Sequence, residues 1–150
     1  LRGNFYNFSK IFVEQLPIYL TSPEKQKPLI EKADLMLQLN QDLQKEVKGF
    51  HIWLEHTFKV NKLSQKLEKY YNLDLDEFLD ELNKKKVNVK SREDQELLRD
   101  EYRKSLDVIT PLIQKIDQTD KEIDKIVYDL YDLTPDEITI IENNLNVGIK

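Results

Sequence analysis

At 150 residues the chain is long enough to bury a core of its own as one domain. Charged residues make up 34% of it, only three residues are glycine, and Leu, Ile, Lys, Glu and Asp dominate; this composition favours long solvent-bathed helices over a sandwich or a doubly wound sheet. It has no cysteine, which excludes disulfides, zinc ribbons and thiol catalysis, and its net charge of −5 argues against the uniformly basic surface of a stand-alone nucleic-acid binder.

Residues 1–20 are set apart by their aromatics. Phe5, Tyr6, Phe8, Phe12 and Tyr19 crowd around Arg2 and Lys10, and Pro17 biases Leu16 toward an extended conformation, so a helix over Ser9 to Gln15 would end there. The chain opens on Leu1, and a start without methionine is what a piece of a longer protein would show. Thr21-Ser22-Pro23-Glu24 then reads as a helix start, with Pro where its missing N–H does no harm. From there Leu29, Ala33, Met36, Asn40, Leu43, Val47, Phe50 and Leu54 alternate in spacing between four and three, a heptad seam with Asn40 as its polar member. The seam passes through Gly49, despite a propensity penalty of about 1 kcal/mol, so the helix should reach about Thr57.

Lys59, Lys62, Lys66 and Lys69 follow at helical spacing, with Val60, Leu63, Leu67 and Tyr70 on a neighbouring face, which predicts a short amphipathic helix. Asp74-Leu-Asp-Glu77 is a capping-box-like start for another, about Leu75 to Lys85, burying Phe78, Leu79 and Leu82. Lys84 to Lys90 should be its frayed end and a loop.

Ser91-Arg-Glu-Asp94 starts a second long helix that runs to about Tyr131, roughly 60 Å at about 1.5 Å per residue. Its seam reads Tyr102, Leu106, Ile109, Ile113, Ile116, Asp120, Ile123, Val127 and Leu130, and Pro111 inside it should bend the helix. Leu133-Thr134-Pro135-Asp136-Glu137 marks a stop and restart, with Thr134 as N-cap, Pro135 at the first helical position and Glu137 as capping-box partner, leading into a helix to about Leu145. Two seams of similar length around a compact insert predict an all-α fold over residues 21–150: a long antiparallel, coiled-coil-like hairpin with a helical insert at its tip and a short C-terminal helix. The expected register sets Leu29 opposite Tyr131, Val47 opposite Ile113 and Leu54 opposite Leu106, with Asn40 and Asp120 at one level.

No sequence motif for chemistry survives inspection. Asn72-x-Asp74-x-Asp76 opens like a calcium loop, but its sixth position is Glu77 rather than Gly and its twelfth is Asn83 rather than Glu. His51 and His56 do not share a helical face as zinc ligands would. Catalytic, cofactor and metal residues are therefore expected to be none. The charge is uneven, since residues 1–90 hold 15 Lys+Arg against 13 Asp+Glu and residues 91–150 hold 8 against 15. The row Lys59, Lys62, Lys66 and Lys69 is the DNA-contact candidate, with a solvated helix face as the plain alternative. Trp53 could stack on a base, although burial beside the seam suits it better. No apolar run approaches the roughly 20 residues of a membrane span, and no basic-then-apolar signal opens the chain, so a cytoplasmic protein without membrane partners is expected.

DKEIDKIVYDLYDLTPDEI, from Asp120 to Ile138, resembles the C-terminal signature of adenine-specific DNA methyltransferases of the type IIG restriction-modification class. That family usually has Gly where this chain has Asp132, which weakens a C-cap there because Asp tolerates a left-handed conformation less well. FSKIFVEQLPI, from Phe8 to Ile18, looks like the end of the family's target-recognition domain, and the stretch from Lys62 to Leu82 looks like the segment between its long helices. The resemblance implies that residues 1–20 are the remnant of the preceding recognition domain. It implies too that the hairpin positions recognition and catalytic domains around DNA, as the paired helices of type I specificity subunits do. S-adenosylmethionine would be the parent protein's cofactor. The family's glycine-containing cofactor loop and Asn-Pro-Pro-Tyr type motif are missing, so no residue here should perform methyl transfer, and no Glu-x-Lys follows Pro135-Asp136 to make a nuclease. The competing expectation is a non-enzymatic protein-interaction module whose exposed seam edges recruit another subunit or a second copy through helical self-association.

Overall fold

The computed structural model describes residues 22–60, 62–87, 89 and 91–147, with side chains to residue 144. The expectation for residues 1–20 lies outside these. The described chain is all-α with no strand: α1 (Pro23–Phe58), α2 (Gln65–Glu68), a 3-10 turn (Tyr70–Asn72), α3 (Leu75–Lys84), α4 (Arg92–Leu130) and α5 (Pro135–Val147). Among the described residues no helix is long and apolar enough to cross a membrane.

The helix starts follow the capping chemistry in the sequence. Ser91 Oγ accepts the Asp94 N–H at 2.9 Å to open α4, and Asp74 and Glu77 exchange side chain-to-backbone bonds of 2.8 and 3.0 Å to open α3. At α5 the Thr134 N–H donates to Glu137 Oε2 at 2.9 Å and the Glu137 N–H to Thr134 Oγ1 at 3.4 Å. The end of α4 is a Schellman motif: Leu133 N–H reaches Tyr128 O at 3.1 Å, Asp132 N–H reaches Asp129 O at 3.4 Å, and Asp132 has φ 50°. Asp therefore takes the left-handed position where Gly would be easier. A second Schellman motif ends α3, with Val87 N–H on Leu82 O at 3.2 Å, Lys86 N–H on Asn83 O at 2.9 Å and Lys86 at φ 57°. The expected frayed end is an ordered cap, because the apolar pair Leu82 and Val87 packs on the core as a Schellman motif requires.

The two long helices are antiparallel. Lys32 Nζ lies 2.5 Å from Glu122 Oε2 and Ser105 Oγ donates to Glu46 Oε1 at 3.1 Å, so numbers rise on α1 as they fall on α4. The register differs from the expected one by about one heptad. Asp120 is exposed and the Asn40 side chain donates to Met36 O of its own helix at 2.9 Å, so the two polar residues do not meet. Instead Ser105 and Thr119 take seam positions that apolar counting gave to Leu106 and Asp120, and Leu39 is buried beside Asn40. Small hydroxyl residues can sit there because their oxygens are satisfied at once: Thr119 Oγ1 donates to Lys115 O at 2.7 Å, and Ser105 reaches Glu46.

The core is concentrated at one end. Phe50, Leu54, Val60, Leu67, Tyr70, Phe78, Leu82, Leu98, Tyr102 and Ile109 form one buried cluster where the insert between α1 and α4 lies across both. Tyr70 is fully buried within it, its ring 4.3 Å from that of Phe50, while the Phe78 ring stacks on Tyr102 at 4.6 Å. Burial beyond this cluster thins to Leu39 and Thr119 among the described residues. The insert, rather than the seam, anchors the hairpin.

Candidate functional site

The insert is fixed by polar bonds as well as rings. Ser105 spends its single proton on Glu46, so the 2.5 Å contact between Tyr70 OH and Ser105 Oγ is a donation from the phenol, giving a relay from Tyr70 through Ser105 to Glu46. Burial pushes the Tyr70 phenol far above its ordinary range, which keeps it a donor. Tyr102 OH donates to Leu73 O at 2.7 Å, and the His51 ring donates from Nε2 to Leu67 O at 3.1 Å. On this rigid base sit the lysines.

The four-lysine helical row does not form. Lys59 ends α1 in the left-handed region at φ 59°, ψ 38°, its Nζ donating to His56 O at 3.0 Å, and Ser64 caps a new one-turn helix by accepting the Leu67 N–H at 3.3 Å. Lys59 and Lys62 thus lie on the connection before α2, and Lys66 and Lys69 on or just after it. Periodicity alone could not reveal this break, because Val60, Leu67 and Tyr70 are all buried as the helical reading expected. The interruption is legible in Ser64 followed by Gln65-Lys66-Leu67, a weak cap signal that the lysine spacing outweighed.

The row therefore divides between two concavities. Lys59 and Lys62 line a cleft of about 570 Å³ together with Lys85, Lys86, Phe58, Val60 and Val87. Lys66 and Lys69 border a hollow of about 490 Å³ with Gln65, Glu68, Asn72 and Leu73. Glu81 partly neutralises the second group. Its carboxylate is 3.9 Å from Lys66 Nζ, accepts from Lys84 Nζ at 2.8 Å and from Ser64 Oγ at 3.1 Å, and is only 11% exposed. The hydrogen bond from Lys84 holds the Glu81 carboxyl below its usual range, with Ser64 and the charges of Lys84 and Lys66 adding against desolvation. Among the described residues no carboxylate pairs with Lys62, Lys85 or Lys86.

Residues 22–127 match a protein-family model described as Domain of unknown function (DUF8810). The chain belongs to that family. No curated protein and no solved structure matches it. The DUF8810 match takes in α1, the whole insert and α4 to Val127, so the lysine cleft lies inside the family's domain, while the Schellman motif after α4 and the helix α5 lie beyond it.

The remaining candidates have ordinary roles in the DUF8810 fold. Asp74 and Glu77 are occupied by each other's backbone N–H, and His51 by Leu67 O. His56 is exposed. No group of acidic or histidine side chains able to hold a metal occurs among the described residues. Trp53 is half-buried, stacked on Phe50 with centroids 5.6 Å apart and meeting the Phe58 ring edge-on at 5.5 Å. The pair Lys85 and Lys86 went unread in the sequence. Its one signal was the run Lys84-Lys85-Lys86, which a turn-forming Gly or Asn at the cap would have made plainer.

Proposed function

We propose that this chain is the C-terminal helical part of an adenine-N6 DNA methyltransferase, or of a bifunctional type IIG restriction-modification enzyme, and that it holds the recognition and catalytic domains in position on DNA. The observation that carries the DNA side of this reading is the polarity of the hairpin. Lys59, Lys62, Lys85 and Lys86 converge at the insert end, whereas toward the other the stretch from Asp117 to Glu142 holds nine carboxylates against Lys121 and Lys125, with Lys32 of α1 paired to Glu122. Such a rod meets phosphates with one end and is repelled at the other. The methyltransferase side rests on the resemblance of Phe8 to Ile18, Lys62 to Leu82 and Asp120 to Ile138 to that class. S-adenosylmethionine would be bound by the catalytic domain, not by this chain, and the work would be cytoplasmic.

A second reading is a non-enzymatic interaction module. Ile30 and Leu37, one heptad apart on α1, are 55% and 62% exposed, and such an edge suits helical association. Duplex binding separates the two readings. The chain should bind unrelated duplexes with similar affinity and a steep dependence on salt, and changing Lys62, Lys66 and Lys69 to Glu should weaken all of them alike and flatten that dependence. An unchanged affinity and salt slope in a folded triple variant would favour the interaction module.

A further inference from the structure

We propose that the cleft lined by Phe58, Val60, Val87 and four lysines is a binding site for a run of phosphates, whose anions are held by Lys59, Lys62, Lys85 and Lys86 over a floor of Phe58, Val60 and Val87. The site goes beyond the methyltransferase reading and stands without it. Three independent features lead to it.

The first is the lining. Four exposed lysines from two chain segments share one concavity that no carboxylate enters among the described residues. Some lysines elsewhere are paired, Lys32 with Glu122, Lys84 with Glu81 and Lys104 with Glu101, and others among the described residues stand singly on helix faces; what sets the cleft apart is four ammoniums in one concavity. Gathering ammoniums without a counter-charge raises the energy of the free protein and is relieved by an anion. A multiply charged phosphate group offers enough acceptor oxygens for several ammoniums at once.

The second is the backbone. Three non-glycine residues have positive φ among the described residues, Lys59, Lys86 and Asp132, and two of them are lysines of this cleft. A left-handed lysine costs about 1–2 kcal/mol that glycine would not. Folding alone favours Gly or Asn at such a cap. At Lys59 the side chain serves the cap itself, its Nζ donating to His56 O at 3.0 Å; at Lys86 the side chain makes no such bond, so lysine there implies a role that the cap does not need, and strain of this kind gathers at binding sites. Both caps also hold their lysines in place, since Lys86 is fixed by the bond from Val87 N–H to Leu82 O and Lys59 by its own N–H on Glu55 O at 3.0 Å.

The third is size. A cleft of about 570 Å³ lies within the usual span of small-molecule sites, roughly 300–1,000 Å³. Its walls are set by the core, because Val60 is buried and the Phe58 ring is braced by Trp53. Phosphates in a row could come from a nucleotide or free polyphosphate, or from the backbone of a nucleic acid, and the chemistry offered to the lysines is the same.

Calorimetric titration of inorganic triphosphate into the full 150-residue chain at low salt tests the site. One saturable site per chain is expected. Lys86→Gly should weaken it by about tenfold, the loss of a charge-assisted contact, while raising the melting temperature by relieving the left-handed lysine. Lys62→Ala and Lys85→Ala should weaken it too, and Lys121→Ala, at the far end of the hairpin, should leave it unchanged. Displacement of triphosphate by a short DNA duplex would assign the site to a nucleic-acid backbone; tight triphosphate binding that the duplex does not disturb would assign it to a free phosphate compound. The proposal is overturned if no saturable triphosphate binding occurs, if Lys86→Gly stabilises the fold and leaves binding intact, or if Lys121→Ala costs as much affinity as the cleft variants.

Discussion

The phenol of Tyr70 donates to Ser105 Oγ at 2.5 Å across 35 residues of sequence, and the same serine donates in turn to Glu46 Oε1 at 3.1 Å, tying insert, α4 and α1 together at one point. Removing one partner leaves a buried polar group without its bond. Ser105→Ala should therefore cost about 1–3 kcal/mol, and Tyr70→Phe about as much, because each orphans the other side. The double variant should cost clearly less than the sum, since the groups act as one network. Urea melts of the four proteins make the cycle, and strictly additive losses would show that the relay has no energetic reality. Tyr70→Ala should be worse, about 3–5 kcal/mol, as it empties the centre of the aromatic cluster.

That relay also explains what could and could not be read in advance. The helices, their caps and the antiparallel hairpin were legible because Ser91, Asp74 with Glu77, and Thr134 with Glu137 carry local capping signals, and because period-3.5 seams persist over many turns. The register was not. It is set by Tyr70 reaching Ser105, a long-range contact through a residue that apolar counting assigns to the surface, and by Leu39 rather than Asn40 turning inward. Half of the cleft was legible as Lys59 and Lys62. Its other half depends on Lys86 adopting a conformation that lysine does not favour, which no pattern of residue types announces.

The register itself can be checked in solution. Cysteines introduced at Glu46 and Ser105 should be joined by a short bifunctional crosslinker, whereas a pair at Val47 and Ile113 should not, because those positions are displaced along the helices by about one heptad, roughly 10 Å at about 1.5 Å per residue. Efficient joining of the second pair, with failure of the first, would restore the register drawn from the apolar seam.

Gly49 lies inside α1, and a Cβ there would meet nothing within 4 Å. Gly49→Ala should raise stability by about 1 kcal/mol through helix propensity and a less flexible unfolded chain. A lowered melting temperature in this variant would mean that the backbone is approached closely there by something the monomer does not contain.

Stability should fall on acidification in two stages. Burial lowers the pKa of His51 from its ordinary 6.5, outweighing the bond to Leu67 O, so the neutral ring's contribution is complete above about that pH and is lost as pH falls through the lowered value. Glu81 is lowered from 4.5, chiefly by the hydrogen bond from Lys84, so its contribution is complete above that pH and disappears as pH falls through its lowered value. Melting temperatures from pH 8 to pH 3 should be level at first, decline below the histidine range and decline again below the carboxylate range. His51→Gln should remove the first decline and Glu81→Gln should shrink the second, which Glu122, held low by Lys32, and Glu137, held low by the Thr134 N–H, share; a profile that is the same in both variants as in the parent would refute these assignments.

Base-resolution mapping of N6-methyladenine in the source genome, with the gene intact and with it deleted, bears most directly on the role proposed for the chain. A defined adenine-containing motif should be methylated throughout in the intact strain, bare after deletion, and partly methylated when Lys62, Lys85 and Lys86 are changed to Ala in the full-length protein. A methylation map that deletion leaves unaltered would contradict that role.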